Sequence, residues 1–209
     1  AKQTVTLAGG RALPYDRLIL APGVDFMVET IPGLASAEAQ QRVRHAWKAG
    51  PETTALRAQL EAMPDGGVFA VVIPKSPYRC PPGPYERACQ VAYYFKSMKP
   101  RSKVLILDGN PDVQSKKGLF MAAWNGEYKG MIEYRPNHEL QEVDARTGTA
   151  IFIGDRVRAD VLNVIPPQKA GEIARRAGIV DVNNRWCDVD WLTMESKSAK
   201  NVHVIGDAT

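Results

Sequence analysis

Two kinds of apolar spacing alternate along this 209-residue chain. Val68 to Ile73 is an unbroken apolar run, the length of a strand buried on both faces of a parallel sheet. Tyr85 to Met98 then spaces its apolar residues as an amphipathic helix stopped by Pro100, and Lys103 to Asp108 is a second strand. Together they predict a βαβ unit with a right-handed crossover. Ahead of it, a helix runs from Pro51 in its first turn through Leu60 and is closed by Asp65-Gly66-Gly67. Beyond it, the pattern predicts a helix from Asp112 to Tyr128 and a strand from Met131 to Tyr134.

Three short alternating runs follow, Glu139 to Val143, Thr149 to Ile153 and Arg156 to Ala159, with turn sequences at Ala145-Arg146-Thr147-Gly148 and Gly154-Asp155. They predict an antiparallel meander. Val161 to Ile165 returns as a strand ending in Pro166-Pro167-Gln168. A short helix over Ala170 to Ala177, a loop with Trp186-Cys187 and a closing strand over 202–205 complete the chain. At the other end, Thr4 to Leu7 and Arg11 to Leu13 read as a hairpin about Gly9-Gly10. Tyr15 to Leu20 then leads into Ala21-Pro22-Gly23, and residues 29–50 connect through a polar helix-like run to Trp47-Lys48-Ala49-Gly50. The fold class is α/β: a Rossmann-like NAD(P)H-type domain carrying an antiparallel β-meander, with remnants of another domain on either side. The boundaries are read as 1–50, 51–185 and 186–209. Both ends read as severed within a domain, so the chain is expected to be an internal piece of a longer protein.

Composition narrows the classes without naming one. Hydrophobic residues are 44% and charged residues 24%, with a net charge of +4 spread along the chain. No long basic run points to nucleic acid or a membrane surface. No stretch approaches the roughly 18 apolar residues of a transmembrane segment, and the polar start from Ala1 to Leu7 is no signal peptide. Three cysteines (Cys80, Cys89, Cys187) and three scattered histidines give no metal-ligand spacing, and no nucleophile elbow is present.

The loop after Ile73 carries the chemistry. A dinucleotide-binding turn needs glycines and free amides at this place. Here the sequence is Pro74-Lys75-Ser76-Pro77-Tyr78-Arg79-Cys80-Pro81-Pro82-Gly83-Pro84-Tyr85-Glu86, and Pro81, Pro82 and Pro84 have no N–H to donate. Asp108 ends the second strand where a ribose-reading acid would stand, but the phosphate half of such a site is missing. The loop offers a thiol instead. Cys80 lies before a helix start, where the macrodipole and Arg79 favour thiolate. Glu86, in the first turn, is placed to accept a proton from a thiol or hydrosulfide. Cys89 reads as packing inside the helix, Cys187 is open to either reading, and Trp47 and Trp124 read as packing anchors.

Cys80-Pro81-Pro82-Gly83-Pro84-Tyr85-Glu86-Arg87 resembles the redox-cysteine loop of the flavoprotein subunit of flavocytochrome c sulfide dehydrogenase. So do Tyr15-Asp16-Arg17 with Ala21-Pro22-Gly23, His45 to Gly50, Asn163 to Gln168, and Val204-Ile205-Gly206-Asp207-Ala208, in the same order. The resemblance implies an FAD domain interrupted by an NAD(H)-like domain, in a periplasmic enzyme passing electrons to a cytochrome c subunit. It implies that Cys80 pairs with a cysteine beyond Thr209, that hydrosulfide attacks the disulfide, and that Glu86 is a candidate base. It also implies that Ala21, Pro22, Gly23, Pro166, Pro167, Gly206 and Asp207 approach FAD, whose Gly-rich loop would precede Ala1, so this piece alone is expected not to hold FAD tightly. The alternatives are an NADH-dependent disulfide reductase or NADH–quinone dehydrogenase domain, or a binding domain without catalysis of its own.

Overall fold

In the computed structural model, residues 3–209 are described. Ala1 and Lys2, where the polar start was read, lie outside the described residues. The predicted hairpin is formed by β1 (Thr4–Thr6) and β2 (Ala12–Pro14), antiparallel with Val5 opposite Leu13. β3 (Leu18–Leu20) and β4 (Val24–Phe26) follow. Next come α1 (Ala37–Arg42), α2 (Pro51–Ala62), β5 (Val68–Ile73), α3 (Gly83–Met98), β6 (Lys103–Asp108), α4 (Lys117–Asn125) and β7 (Ile132–Arg135). The meander is β8 (Leu140–Asp144), β9 (Thr149–Phe152) and β10 (Asp155–Arg158), and β11 (Val161–Val164) closes this stretch. β12 (Gln168–Ala170), α5 (Glu172–Arg176) and β13 (Val202–Val204) end the chain.

The chain forms two compact units, one of residues 27–167 and one of the chain up to Phe26 with Gln168–Thr209. In the first, β11, β5, β6 and β7 form a wholly parallel sheet in that order. Successive side chains of a strand point to opposite faces, and both faces are covered here. Phe69, Val71, Ile73, Val104 and Ile106 pack with Leu56 and Leu60 of α2, Tyr85, Ala88 and Phe95 of α3, and Phe120 and Trp124 of α4. Ala70, Val72, Leu105 and Leu107 pack with Val143, Ala150, Phe152 and Val157 of the meander, which stands where a doubly wound fold has helices. Double coverage is the reason β5 reads as six apolar residues without alternation.

In the second unit, β12 pairs antiparallel with β4, and β13 pairs parallel with β3. Val24, Ala174, Ile179, Trp186, Cys187 and Val204 share its core.

Three readings are corrected. The units divide at 26/27 and 167/168 rather than at 50/51 and 185/186. Ile31, Leu34 and Val43 are buried with the meander, and Gln168–Ala170 pairs with β4, so burial rather than turn sequence sets the division. The helix expected from Asp112 to Tyr128 is only Lys117–Asn125. Asp112 accepts the Val113 N–H, Gln114 donates its N–H to the Tyr85 hydroxyl, and Lys116 has a left-handed φ of 52°. The helix expected over Ala170 to Ala177 begins at Glu172, because Gln168–Ala170 is a strand.

Candidate functional site

β5 delivers the chain into the proline-rich loop at the C-terminal end of a parallel sheet, the edge where such folds bind ligands. Cys80 is exposed and has φ +60°, a left-handed conformation costing a non-glycine residue roughly 1–2 kcal/mol. Its carbonyl accepts the Gly83 N–H at 2.9 Å, and Pro84 has none, so the first turn of α3 has few amides left for an anion. Gly83 is bare for a reason. A Cβ there would stand 2.7 Å from Trp47 Cη2 and 3.0 Å from Cys80 Sγ, so the thiol and the indole edge converge on that one Cα. The Glu86 side chain is exposed in the first turn of α3. Its charge helps raise the Cys89 thiol, after burial and Glu127.

Asp108 is fully buried, and its carboxylate is already engaged. Oδ2 accepts from the Tyr85 hydroxyl at 2.7 Å and the Tyr134 hydroxyl at 3.2 Å. Oδ1 accepts from Asn110 N at 2.9 Å and Asn110 Nδ2 at 2.8 Å. Burial and Asp108 hold both phenols above their ordinary range, so they stay protonated and donate. Tyr78, in the loop itself, is pushed up to about 12 by burial. An acid with four donors on its two oxygens has little left for ribose hydroxyls. This residue is the one the sequence placed in a ribose-reading position, and the structure gives it other work.

On the other side of the loop, three sequence blocks meet at Arg87. Its guanidinium donates to His45 O (2.8 Å), Asn163 Oδ1 (2.9 Å) and Ala46 O, and it lies 5.1 Å from the Trp47 ring centroid. Burial lowers Arg87 to about 10, against a smaller opposing effect of Glu52. Asn163, fully buried on β11, donates in turn to Arg44 O and His45 O. His45 Nδ1 accepts the Trp47 N–H, and Nε2 faces Glu52 Oε2 at 3.0 Å. Burial lowers the His45 pKa despite Glu52. The sequence singled out neither Arg87 nor Asn163. The signal was their place inside the matching blocks, not their residue type.

The remaining predicted residues fall in two places. Ala21, Pro22 and Gly23 follow β3, and Gly206 and Asp207 follow β13. The two strands are adjacent and parallel, with Ile205 N donating to Leu20 O at 3.0 Å, so both turns stand at the same strand ends. Gly23 and Gly206 have φ of 63° and 78°, and no atom lies within 4 Å of where a Cβ would stand on either. Open, glycine-bearing turns at the carboxyl ends of parallel strands fit a flavin dinucleotide approached through backbone atoms. Pro166 and Pro167 follow β11 in the other unit. Pro166 is buried and the Pro167 carbonyl accepts the Met27 N–H.

The three thiols are free, with Cys187 buried and raised to about 11 by desolvation. Among the described residues, no group of three His, Cys, Asp or Glu side chains is arranged to hold a metal, and no helix is long and apolar enough to cross a membrane.

Comparison with known proteins places the chain in a family. The chain is 24% identical over 209 residues to the mitochondrial sulfide:quinone oxidoreductase of Mus musculus, covering 96% of this chain and 46% of that protein, about half its length. Among solved structures, a pyridine nucleotide-disulfide family oxidoreductase from Enterococcus faecalis V583 superposes with a TM-score of 0.68 at 14% identity, covering 95% of this chain and 42% of its own. The NAD-dependent persulfide reductase of A. fulgidus gives 0.63 at 19% identity, covering 99% and 36%. At these identities the structures establish the fold alone. The profile of the family described as the sulfide dehydrogenase [flavocytochrome c] flavoprotein chain, central, matches residues 53–166, more than half of the chain. The chain belongs to that family of flavoprotein oxidoreductases, and residues 53–166 are its central part.

Proposed function

We propose that this chain is part of a periplasmic flavoprotein that oxidises hydrosulfide at Cys80 and passes the electrons through FAD to a cytochrome c subunit. The observation that carries the reading is the loop after β5. It has few amides to donate, its neighbouring acid is consumed by two phenols and an asparagine, and it leaves one thiol exposed. In the reading, hydrosulfide sulfur bonds to Cys80 Sγ as the disulfide to a second cysteine outside this chain breaks. A persulfide forms on Cys80 and the second sulfur leaves as thiolate. Glu86 takes the proton released when the substrate arrives as hydrogen sulfide. FAD, when bound, supplies a two-electron acceptor that can release electrons singly to a cytochrome. Ala21, Pro22, Gly23, Gly206 and Asp207 would hold it through their turns, and Pro166 and Pro167 are assigned to it by resemblance.

The test is sulfide-dependent cytochrome c reduction by the full-length flavoprotein and its Cys80→Ala variant. Unchanged turnover in the variant overturns the reading, and recovery outside the periplasm on fractionation overturns its location. A second reading, an NADH-dependent disulfide or quinone reductase, is favoured by the parallel sheet and by its solved neighbours. An NADH titration separates the two, since micromolar binding would favour the second.

A further inference from the structure

The loop carrying Cys80 is tied at both ends to one buried carboxylate. At its start, Asn110 Nδ2 donates to Pro74 O at 3.0 Å, and Asn110 Oδ1 accepts the Ser76 N–H at 2.9 Å. At its end, Tyr85 in the first turn of α3 donates its hydroxyl to Asp108. Asn110 and Tyr85 meet on the two oxygens of Asp108, at the tip of β6. Gly109, between Asp108 and Asn110, permits the approach, because a Cβ there would stand 3.1 Å from Ile73 O and 3.3 Å from Lys75 N. We propose that Asp108 and Asn110 are positioning residues for Cys80, a clamp made from the strand end where a dinucleotide fold reads ribose. The proposal rests on the reading of Cys80 as the reacting thiol for its consequence in turnover, though not for its geometry.

The physical case is one of connectivity. Loop residues between Ser76 and Tyr85 are stiffened by four prolines, so fixing both ends fixes the middle. A stiff segment anchored once would swing; anchored twice, it holds the thiol beside Gly83 and the Trp47 edge. Tyr134 supplies the control. It donates to the same Asp108 oxygen as Tyr85, but from β7, which carries no part of the loop.

The experiment compares Asn110→Ala with Tyr134→Phe in the full-length flavoprotein. Iodoacetamide labelling of the reduced protein is followed at each cysteine by peptide mass spectrometry across pH, with Cys89 and Cys187 as internal standards. Asn110→Ala is expected to change the Cys80 rate and its pH profile while the standards hold. Tyr134→Phe lowers thermal stability and leaves the Cys80 profile as in the parent protein. Sulfide turnover in Asn110→Ala falls by roughly 10²-fold, the scale of a small misplacement of a reacting atom. Equal changes at Cys80 in both variants, or none in Asn110→Ala, overturn the clamp. Cys80→Ala is assayed alongside: if turnover survives it, the function assigned to Cys80 falls, and the labelling comparison still decides the clamp.

Discussion

The strand ends at β3 and β13 and the strand end at β5 share a position in the fold and offer different groups. A parallel strand running into a turn presents backbone amides to whatever lies beyond it. β3 and β13 keep that offer, with open glycines at Gly23 and Gly206. β5 has withdrawn it, with prolines in place of donors, Asp108 spent on Tyr85, Tyr134 and Asn110, and a thiol left outermost. In the proposed function, one αβ pattern serves a dinucleotide in one place and sulfur in another, and loop composition makes the difference.

The largest effect that would break this comparison is at the thiol. Cys80→Ala should reduce sulfide-dependent cytochrome c reduction to background, measured in the full-length flavoprotein. Glu86→Gln should slow the same assay by less, within the roughly 10²- to 10⁴-fold span of general-base effects. No change would remove Glu86 from the chemistry.

Glycines sharpen the contrast. Gly83→Ala collides with Trp47 and the sulfur and should cost about 1–3 kcal/mol in urea unfolding, as overpacking does. Gly206→Ala has open space but φ +78°, so it should cost only about 1 kcal/mol through backbone conformation. The reverse order would mean that the Cys80 loop is loosely packed.

Smaller effects come from the buried groups. At neutral pH, iodoacetamide should reach Cys80 well before Cys187, whose thiol is buried and raised to about 11. His45 is held below its unfolded value of 6.5, so the unfolded chain takes up the proton first. Its contribution to stability is full above about pH 6.5 and is lost as pH falls below that value. Melting curves of the parent and His45→Gln should converge in acid; parallel curves would show that His45 does not titrate on unfolding.

Periodicity made the central sheet legible. β5 and β6 lie over the predicted residues because an apolar run buried on both faces has no other reading at that length. The hairpin and the meander were legible from turn residues. β12 was not, because Gln168-Lys169-Ala170 has no strand pattern and is a strand only through pairing with β4. α4 lost its first turn for a similar reason, since the Gln114 N–H goes to a tyrosine 29 residues earlier in the chain.

At the site, the shortage of amide donors at Pro81, Pro82 and Pro84 was legible, because a missing N–H is a covalent property visible in any sequence. Cys80 as the thiol this loop offers was legible from the same residues, and its exposure came from the structure. What Asp108, Asn110, Arg87 and Asn163 do was decided by tertiary structure. Asp108 kept the residue type and position of a ribose acid, and only the arrival of Tyr85 from α3 and Tyr134 from β7 gave it different partners. Local sequence fixes which groups a segment can offer, whereas a buried polar group is assigned by whichever distant partners satisfy it.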